Sequence, residues 1–223
     1  MTNDEWQVPI DILTRLNHML TADGFRQPIE GLFVRNLDAV WRAWIGVTGC
    51  SVALIPVVGV FSEELLQIAR AARAKLGRPS THPPDAGPPL IMAHLEQIIG
   101  NDTSCQAHMS WHYAVQDHHI DDPSTIPELK TEAADDLVYC LRKKAYPFFA
   151  AHMTYQSIWD AMRNREAMPS PAIRNYFPII LMKLGRRADV PRFVEEQVKQ
   201  ISNERVAADY KEYVNALLAV VPG

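Results

Sequence analysis

Histidines and aspartates lie close together in the middle of the chain, and this combination could bind a metal ion. The group is made up of His108, His112, Asp117, His118, His119, Asp121 and Asp122. Residues 108 and 112 share one face of either a strand or a helix. Two imidazoles and a carboxylate could then hold zinc or another transition metal. One hypothesis is therefore a metal-dependent hydrolase that uses His108, His112, His118 or Asp117.

A simpler interpretation of the same residues is a polar strand end that runs into an acidic loop. The spacing of His108 and His112 is not that of the H-E-x-x-H motif, and no residue between them resembles a general base. The chain also lacks the glycine-rich phosphate-binding motifs and the G-x-S-x-G motif, although it contains ten glycines. A dispersed triad stays open, since triads assemble in space. On balance the pattern favours a protein that is not an enzyme and needs no cofactor.

An acidic segment is the more informative feature of the charge distribution. Between Asp117 and Asp136 there are seven acids and one base, Lys130. We call six of these acids the acidic strip: Asp121, Asp122, Glu128, Glu132, Asp135 and Asp136. A solvated helix face accounts for such a strip, but the strip could also dock a basic protein and speed its association.

A basic segment follows later in the chain. It holds seven cations against Glu166 and Asp189, and we call these cations the basic stretch: Arg163, Arg165, Arg174, Lys183, Arg186, Arg187 and Arg192. A helical scaffold that contacts RNA through them is a third hypothesis. The stretch lacks interleaved exposed aromatics of the kind that stack on bases, so we expect no nucleic-acid partner.

The composition of the chain limits its class. The net charge is −4, which gives no support to nucleic-acid binding by bulk charge. Cys50, Cys105 and Cys140 are odd in number and far apart, which favours a reducing cytoplasm over a disulfide framework. The acidic start of the chain does not resemble a signal peptide. The longest apolar run, residues 52–61, is too short to span a bilayer, so no membrane partner is expected.

The residues up to Leu76 predict a sheet between two helices. Apolar residues at helical spacing predict a helix over 8–23, which Gly24 ends. The strands are predicted at Phe25–Glu30, Leu32–Leu37, Val40–Val47 and Ser51–Phe61. Pro28 places the first of these at an edge, and the apolar last one belongs inside the sheet, with Pro56 at a bulge or an edge. Ser62 can cap a helix that Gly77 closes.

After a proline-rich loop over residues 78–89, the pattern changes from strand to helix. Residues 90–99 and 108–116 predict two more strands, the first of which could instead be a short helix. Helices are predicted from Thr125 to a break at Pro147, and then over 154–163, 170–184, 189–201 and 203–220. The fold class is α+β, with an antiparallel sheet and flanking helices first and helical hairpins second. We predict one domain over 1–223, with a possible subdivision into 1–122 and 123–223.

Short segments spread over the chain resemble a group of small bacterial proteins of unknown function, some of them encoded beside toxins. They are Asp23-Gly24-Phe25, Leu32-Phe33-Val34-Arg35, Tyr146-Pro147-Phe148-Phe149 and the run from Pro178 to Gly185. The group is similar to cytoplasmic immunity proteins of contact-dependent growth inhibition or type VI toxin systems. The resemblance implies a protein that binds a cognate toxin domain and blocks it. It implies no particular site residues, because such families share no site motif.

These observations lead to one hypothesis with an alternative. We expect a cytoplasmic binding protein, a monomer or homodimer, whose acidic strip neutralises a basic, nuclease-like toxin domain. The alternative is the metal-dependent hydrolase built on His108, His112 and His118.

Overall fold

The computed structural model describes residue 8 and residues 10–49, 54–78, 89–106, 132–164, 168–169 and 173–221. Three predicted features lie outside these residues: the strand over 108–116, the start of the helix at Thr125 and the proline-rich loop. Within the described ranges, the helices are either too short or too polar to cross a membrane.

The strands of the described residues form one six-stranded sheet in which each strand neighbours the next one in sequence. They are β1 (Arg26–Ile29), β2 (Leu32–Asn36), β3 (Trp41–Gly49), β4 (Leu54–Ser62), β5 (Ile91–His94) and β6 (Met168–Pro169). The pairs β1–β2 and β5–β6 are antiparallel. The predicted antiparallel sheet in the first half of the chain is thus confirmed.

The prolines of the sheet show how strand position follows from sequence. Pro28 lies in β1, at the edge of the sheet, where a missing N–H costs no ladder bond. β4 lies between β3 and β5, as its apolar composition predicted. Of the two alternatives predicted for Pro56, a bulge or a sheet edge, the edge position was therefore wrong. The two-residue strand β6 was not predicted, because two residues carry no periodic pattern.

Helices make up most of the rest of the described chain. They are α1 (Ile10–Ala22), α2 (Glu63–Lys75), α3 (Leu95–Ile99), α4 (Thr103–Gln106), α5 (Glu132–Cys140), α6 (Tyr146–Ala151), α7 (Tyr155–Asn164), α8 (Ile173–Lys183), α9 (Val190–Lys199) and α10 (Glu204–Val220). The α+β class and the helical second half are confirmed. Residues 90–99 combine both predicted alternatives, since β5 runs directly into α3.

Local capping residues fix several helix ends. The Ser62 hydroxyl accepts a hydrogen bond from the Leu65 N–H at 3.3 Å, and Asn203 caps α10 in the same way through the Val206 N–H at 3.2 Å. Gly77 follows α2 with φ of +66°, a conformation that glycine adopts without strain. The Ser62 cap and the Gly77 end confirm the sequence prediction, whereas the Asn203 cap was not predicted. Asp189 precedes α9 but does not cap it, because its carboxylate binds Arg186 at 2.7 Å.

The predicted helix break at Pro147 takes an unexpected form. Leu141–Ala145 is a π-helical turn, and Pro147 is the second residue of the α-helix that follows it. In the turn the Tyr146 N–H reaches back five residues to the Leu141 carbonyl. A wider turn provides the room that the proline ring needs and avoids the bond that proline cannot donate. The helix therefore bulges at this point and continues.

The described chain divides into two compact units, and neither is one continuous stretch. Unit 1 takes residues 1–37, 43–59 and 93–151, and unit 2 takes residues 38–42, 60–92 and 152–223. Strands β3, β4 and β5 each contribute residues to both units. The sequence-based subdivision at residue 122 does not match this pattern, and the single domain stays a prediction.

In unit 1 a polar network lies beside the apolar core. The Asp23 carboxylate accepts two hydrogen bonds from Arg142, at 2.8 and 3.0 Å, and one from the Tyr146 hydroxyl at 2.5 Å. Arg35 donates to the Asp23 carbonyl at 3.1 Å, and its guanidinium lies between the rings of Phe25 and Tyr146. The end of α1, strand β2 and the start of α6 are thereby held together.

Unit 2 contains a comparable arrangement around Glu64 in the first turn of α2. Its carboxylate accepts hydrogen bonds from the Tyr155 hydroxyl at 2.5 Å and from the Lys183 ammonium. Burial raises the pKa of Glu64, but these two bonds outweigh it and hold the pKa below its usual value. The Tyr155 ring also packs on Trp41, with ring centres 5.2 Å apart. Glu64 thus connects α2 to α7 and α8.

The Asp23 network predicts a pH-dependent stability. Arg142 and Tyr146 hold the pKa of Asp23 below its ordinary value. The charged Asp23 carboxylate therefore contributes fully to the free energy of unfolding above about pH 4, and this contribution is lost as the pH falls through the lowered pKa. We expect Asp23→Asn to lower the free energy of unfolding by about 1–3 kcal/mol at neutral pH. The difference from the wild type should shrink below about pH 4 and vanish in strong acid. Urea unfolding across this pH range measures it.

Asp160→Asn is the matched control, because within the part of the chain that the structure describes the Asp160 carboxylate accepts only from Gln156 of its own helix. Asp160→Asn should lower the free energy of unfolding at neutral pH much less than Asp23→Asn does. A difference between wild type and Asp23→Asn that stays constant from neutral pH to strong acid would contradict the role of the charged carboxylate.

Candidate protein-binding surface

The acidic strip is only partly within the described residues. Asp121, Asp122 and Glu128 lie outside them. Glu132, Asp135 and Asp136 fall in the first turns of α5, where negative charge suits the helix dipole. Glu132 is exposed, whereas Asp135 and Asp136 are half-buried. These three members of the strip thus lie on one helix, and the binding role of the strip stays a prediction.

One of these carboxylates has a cation partner from another helix. Arg15 of α1 donates two hydrogen bonds to Asp135, at 2.5 and 3.2 Å. Both side chains stay accessible, at 47% and 37% exposure, so water screens the pair and it contributes little to stability. Asp135 raises the pKa of Arg15, and Glu132 adds a smaller effect in the same direction. Sequence analysis missed this pair, because nothing in the spacing connects two residues so far apart.

The surface between α1 and α5 is concave around this ion pair. A cleft of about 590 Å³ is lined by Asp11, Thr14, Arg15, His18, Met19 and Asp135. Of the charged residues in this lining, Asp11 and Asp135 are acidic and Arg15 is basic, so the lining is negative by one charge. Glu132, which is exposed, lies on the same helix as Asp135.

The histidines of the metal hypothesis, His108, His112, His118 and His119, lie outside the described residues, as does Asp117. Among the residues that the structure describes, no three His, Cys, Asp or Glu side chains group together as metal ligands would. The hydrolase hypothesis therefore rests on the sequence alone.

Four cations of the basic stretch have hydrogen-bond or ion-pair partners within unit 2. Lys183 donates to Glu64, and Arg186 and Arg192 pair with Asp189 and Glu196. Arg187 donates to the carbonyls of Leu218 and Val221 at 2.8 and 2.9 Å, where cations suit the end of α10. Arg165 lies outside the described residues. Most of the described cations thus have structural partners.

Aromatic residues lie closer to this stretch than the sequence indicated. Trp159 of α7 and Phe193 of α9 line a cleft of about 340 Å³ together with Arg163, Arg186 and Arg192. The Arg186 guanidinium lies 4.7 Å from the Trp159 ring, and Phe193 packs on Phe177 with ring centres 4.8 Å apart. Each ring already has a stacking partner, so a nucleic-acid base would have to displace one of them.

A serine and two lysines near α4 resemble a nucleophile site in composition but form a helix cap. The Ser104 N–H donates to Asp102 at 2.9 Å, and the Ser104 hydroxyl donates to the same carboxylate. Lys143 donates to the Ser104 oxygen, and Lys144 pairs with Asp102 at 2.5 Å. These bonds hold the pKa of Asp102 well below its usual range. A lysine that donates its proton cannot also act as the base that activates the serine.

The two described cysteines are also unsuited to nucleophilic chemistry. Cys105 and Cys140 are both buried, and the Cys140 thiol donates to the Cys105 carbonyl at 3.8 Å. Burial raises the pKa of Cys140 to about 12. The nucleophile of cysteine chemistry is the thiolate, which is almost absent at neutral pH under these conditions.

This burial predicts that Cys105 and Cys140 resist alkylation in the native protein. Iodoacetamide at about pH 8 should leave both unmodified, whereas both should react in concentrated guanidinium chloride, because unfolding exposes both thiols and restores the ordinary pKa of Cys140. Peptide mapping by mass spectrometry identifies each site separately. Rapid labelling of Cys140 in the native state would contradict the packing described for α5.

The chain matches no known protein family, no curated protein and no solved structure. The resemblance to immunity proteins therefore stays a prediction.

Proposed function

We propose that this chain is a non-enzymatic binding protein whose acidic strip docks a basic protein partner. The partner class that fits best is a nuclease-like toxin domain, and the chain then acts as its immunity protein in the cytoplasm. The single observation that carries the proposal is the concentration of accessible carboxylates at the start of α5, next to which Arg15 is the cation that α1 supplies.

The charge chemistry supports this choice of partner. A nuclease binds a phosphate backbone with a basic surface. A row of carboxylates on a folded protein carries negative charge, as the phosphate backbone does. It can therefore bind to the basic surface of the nuclease and cover it. Complementary charge also accelerates association, toward about 10⁸–10⁹ M⁻¹s⁻¹ at low salt in favourable cases. Speed matters for a protein that must capture a toxin before the toxin acts.

The ion pair between Arg15 and Asp135 is compatible with docking. An exposed pair is weak and can exchange partners at little cost. Asp135 can therefore pair with a guanidinium of the incoming protein, while Arg15 turns to Asp11 or to solvent. The described nucleophile candidates, Ser104 and Cys140, are occupied or protonated, which favours binding over catalysis.

The proposal predicts a salt-dependent association that charge reversal weakens. The partner to test is the polypeptide encoded by the gene adjacent to that of this chain. We expect the double variant Asp122→Lys/Glu132→Lys to reduce the association rate constant about tenfold at low salt, because the steering field is lost. Stopped-flow or surface plasmon resonance at several salt concentrations measures the rate.

The matched control reverses two acids elsewhere, Glu30→Lys/Glu195→Lys, which changes the total charge by the same amount. Both of these residues are exposed. The control should leave most of the rate intact. Equal losses in the two double variants would show that only net charge matters, and unchanged binding in the strip variant would remove the strip from the interface.

A further inference from the structure

A second surface, in unit 2, has the chemistry of an anion site. It is a cleft of about 440 Å³ formed by the end of α2, the start of α8 and the first half of α10 with the residues before it. We call it the arginine cleft, because three of its lining residues are Arg73, Arg78 and Arg174. Its volume falls in the range of about 300–1,000 Å³ that is usual for small-molecule sites.

The cations of the arginine cleft are not balanced by their surroundings. Arg78 pairs with Asp209 at 3.1 Å and lies 3.5 Å from Glu212. Arg73 and Arg174 are half-buried, and neither pairs with a carboxylate among the described residues. A guanidinium that is partly removed from water without a counter-charge costs free energy, and an anion in the cleft would recover it.

The floor of the cleft is held in place by two buried tyrosines of α10. The Tyr210 hydroxyl donates to the Arg174 carbonyl, and the Tyr213 hydroxyl donates to the Asn175 carbonyl, each at 3.2 Å. Burial raises the pKa values of Tyr210 and Tyr213, so both hydroxyls stay protonated donors. The Arg73 guanidinium lies 5.8 Å from the Tyr213 ring centre, within reach of a cation–π contact. These contacts fix the first turn of α8 against α10 before any ligand arrives.

The rest of the lining is apolar. Leu76 and Ile201 are half-buried, and Val206 is 48% exposed although it lies on a packed helix. The cleft therefore combines apolar side chains with arginines. In this arrangement Val206 can contact the hydrocarbon part of a ligand whose charged group reaches the guanidinium groups.

We propose that the arginine cleft binds a small organic oxyanion, a carboxylate or phosphate monoester attached to a short apolar body. Arg73 and Arg174 hold the oxyanion, since guanidinium groups match both carboxylate and phosphate in geometry. Leu76, Ile201 and Val206 cover the apolar body. The cleft belongs to unit 2, whereas the described residues of the acidic strip belong to unit 1, so this inference stands independently of the proposed function.

The test titrates the full chain with hexyl phosphate, hexanoate, inorganic phosphate and hexanol. Isothermal calorimetry gives the affinities, and the methyl signals of Leu76, Ile201 and Val206 in ¹H–¹³C spectra give the location. We expect one or both of the two hexyl anions to bind in a one-to-one ratio and to shift these methyl signals. Which hexyl anion binds more tightly identifies the head group.

The variants Arg73→Met and Arg174→Met remove the charge and keep the aliphatic part of each side chain. Each should weaken binding of the preferred anion about tenfold or more, because a charge-assisted hydrogen bond is lost. The control Arg192→Met removes an 85% exposed charge from α9 and should leave binding unchanged. Unchanged circular dichroism confirms that each variant folds.

Three results would overturn the proposal. Hexanol that binds as tightly as the hexyl anions would indicate an apolar surface without anion recognition. Inorganic phosphate that binds equally well to wild type, Arg73→Met and Arg174→Met, with no tighter hexyl phosphate binding, would indicate an adventitious ion only. The absence of any binding by the hexyl anions would exclude the site.

Discussion

The carboxylate of Asp23 accepts hydrogen bonds from a guanidinium and a phenol, and this interaction positions the helices of unit 1. It sits where α1 ends, and its partners Arg142 and Tyr146 lie on the π-helical turn and on the helix that follows. The turn and its neighbour α5 therefore have a fixed relation to α1. Since the described acids of the strip and their cation Arg15 lie on α5 and α1, the charge pattern of that surface depends on this one carboxylate.

In unit 2 the carboxylate of Glu64 has a similar pair of donors, the ammonium of Lys183 and the hydroxyl of Tyr155. In both units the carboxylate is half-buried, and its pKa is held below the ordinary value by donors from other helices. Fully satisfied buried carboxylates specify one arrangement of helices, because any other would leave a charge without partners. The arginine cleft differs in this respect, since Arg73 and Arg174 have no such compensation within the described chain.

Features that depend on neighbouring residues were predictable from the sequence. The cap at Ser62, the left-handed glycine after α2 and the edge position of the strand with Pro28 all follow from short-range sterics and hydrogen bonding. Asp189, where the predicted helix over 189–201 begins, does not cap α9, because Arg186, three residues earlier, binds its carboxylate. The break at Pro147 became a bulge, since a π-helical turn accommodates the ring without ending the helix.

Features that depend on distant residues were not predictable. Asp135 gives no local sign that Arg15 is its partner, and Trp159 precedes the basic stretch with which it packs. The arginine cleft is lined by residues from three separated segments of the chain. In the sequence each of these segments has the pattern of an ordinary amphipathic helix end. Three members of the acidic strip, Asp121, Asp122 and Glu128, also lie outside the described residues, so the structure shows the strip only where α5 begins, and its binding role stays a prediction.

The alternation of the two units along the chain has a consequence for synthesis on the ribosome. Segments of unit 2 leave the exit tunnel before the last segment of unit 1, and unit 2 needs residues up to 223. Residues 60–92 include α2, whose apolar face packs against α8 and α10, and both of these helices are made late. The contact of that face with α10 cannot form until more than half of the polypeptide has been translated after α2. Exposed apolar surface of this kind makes a nascent chain prone to aggregation until its last helices have been made.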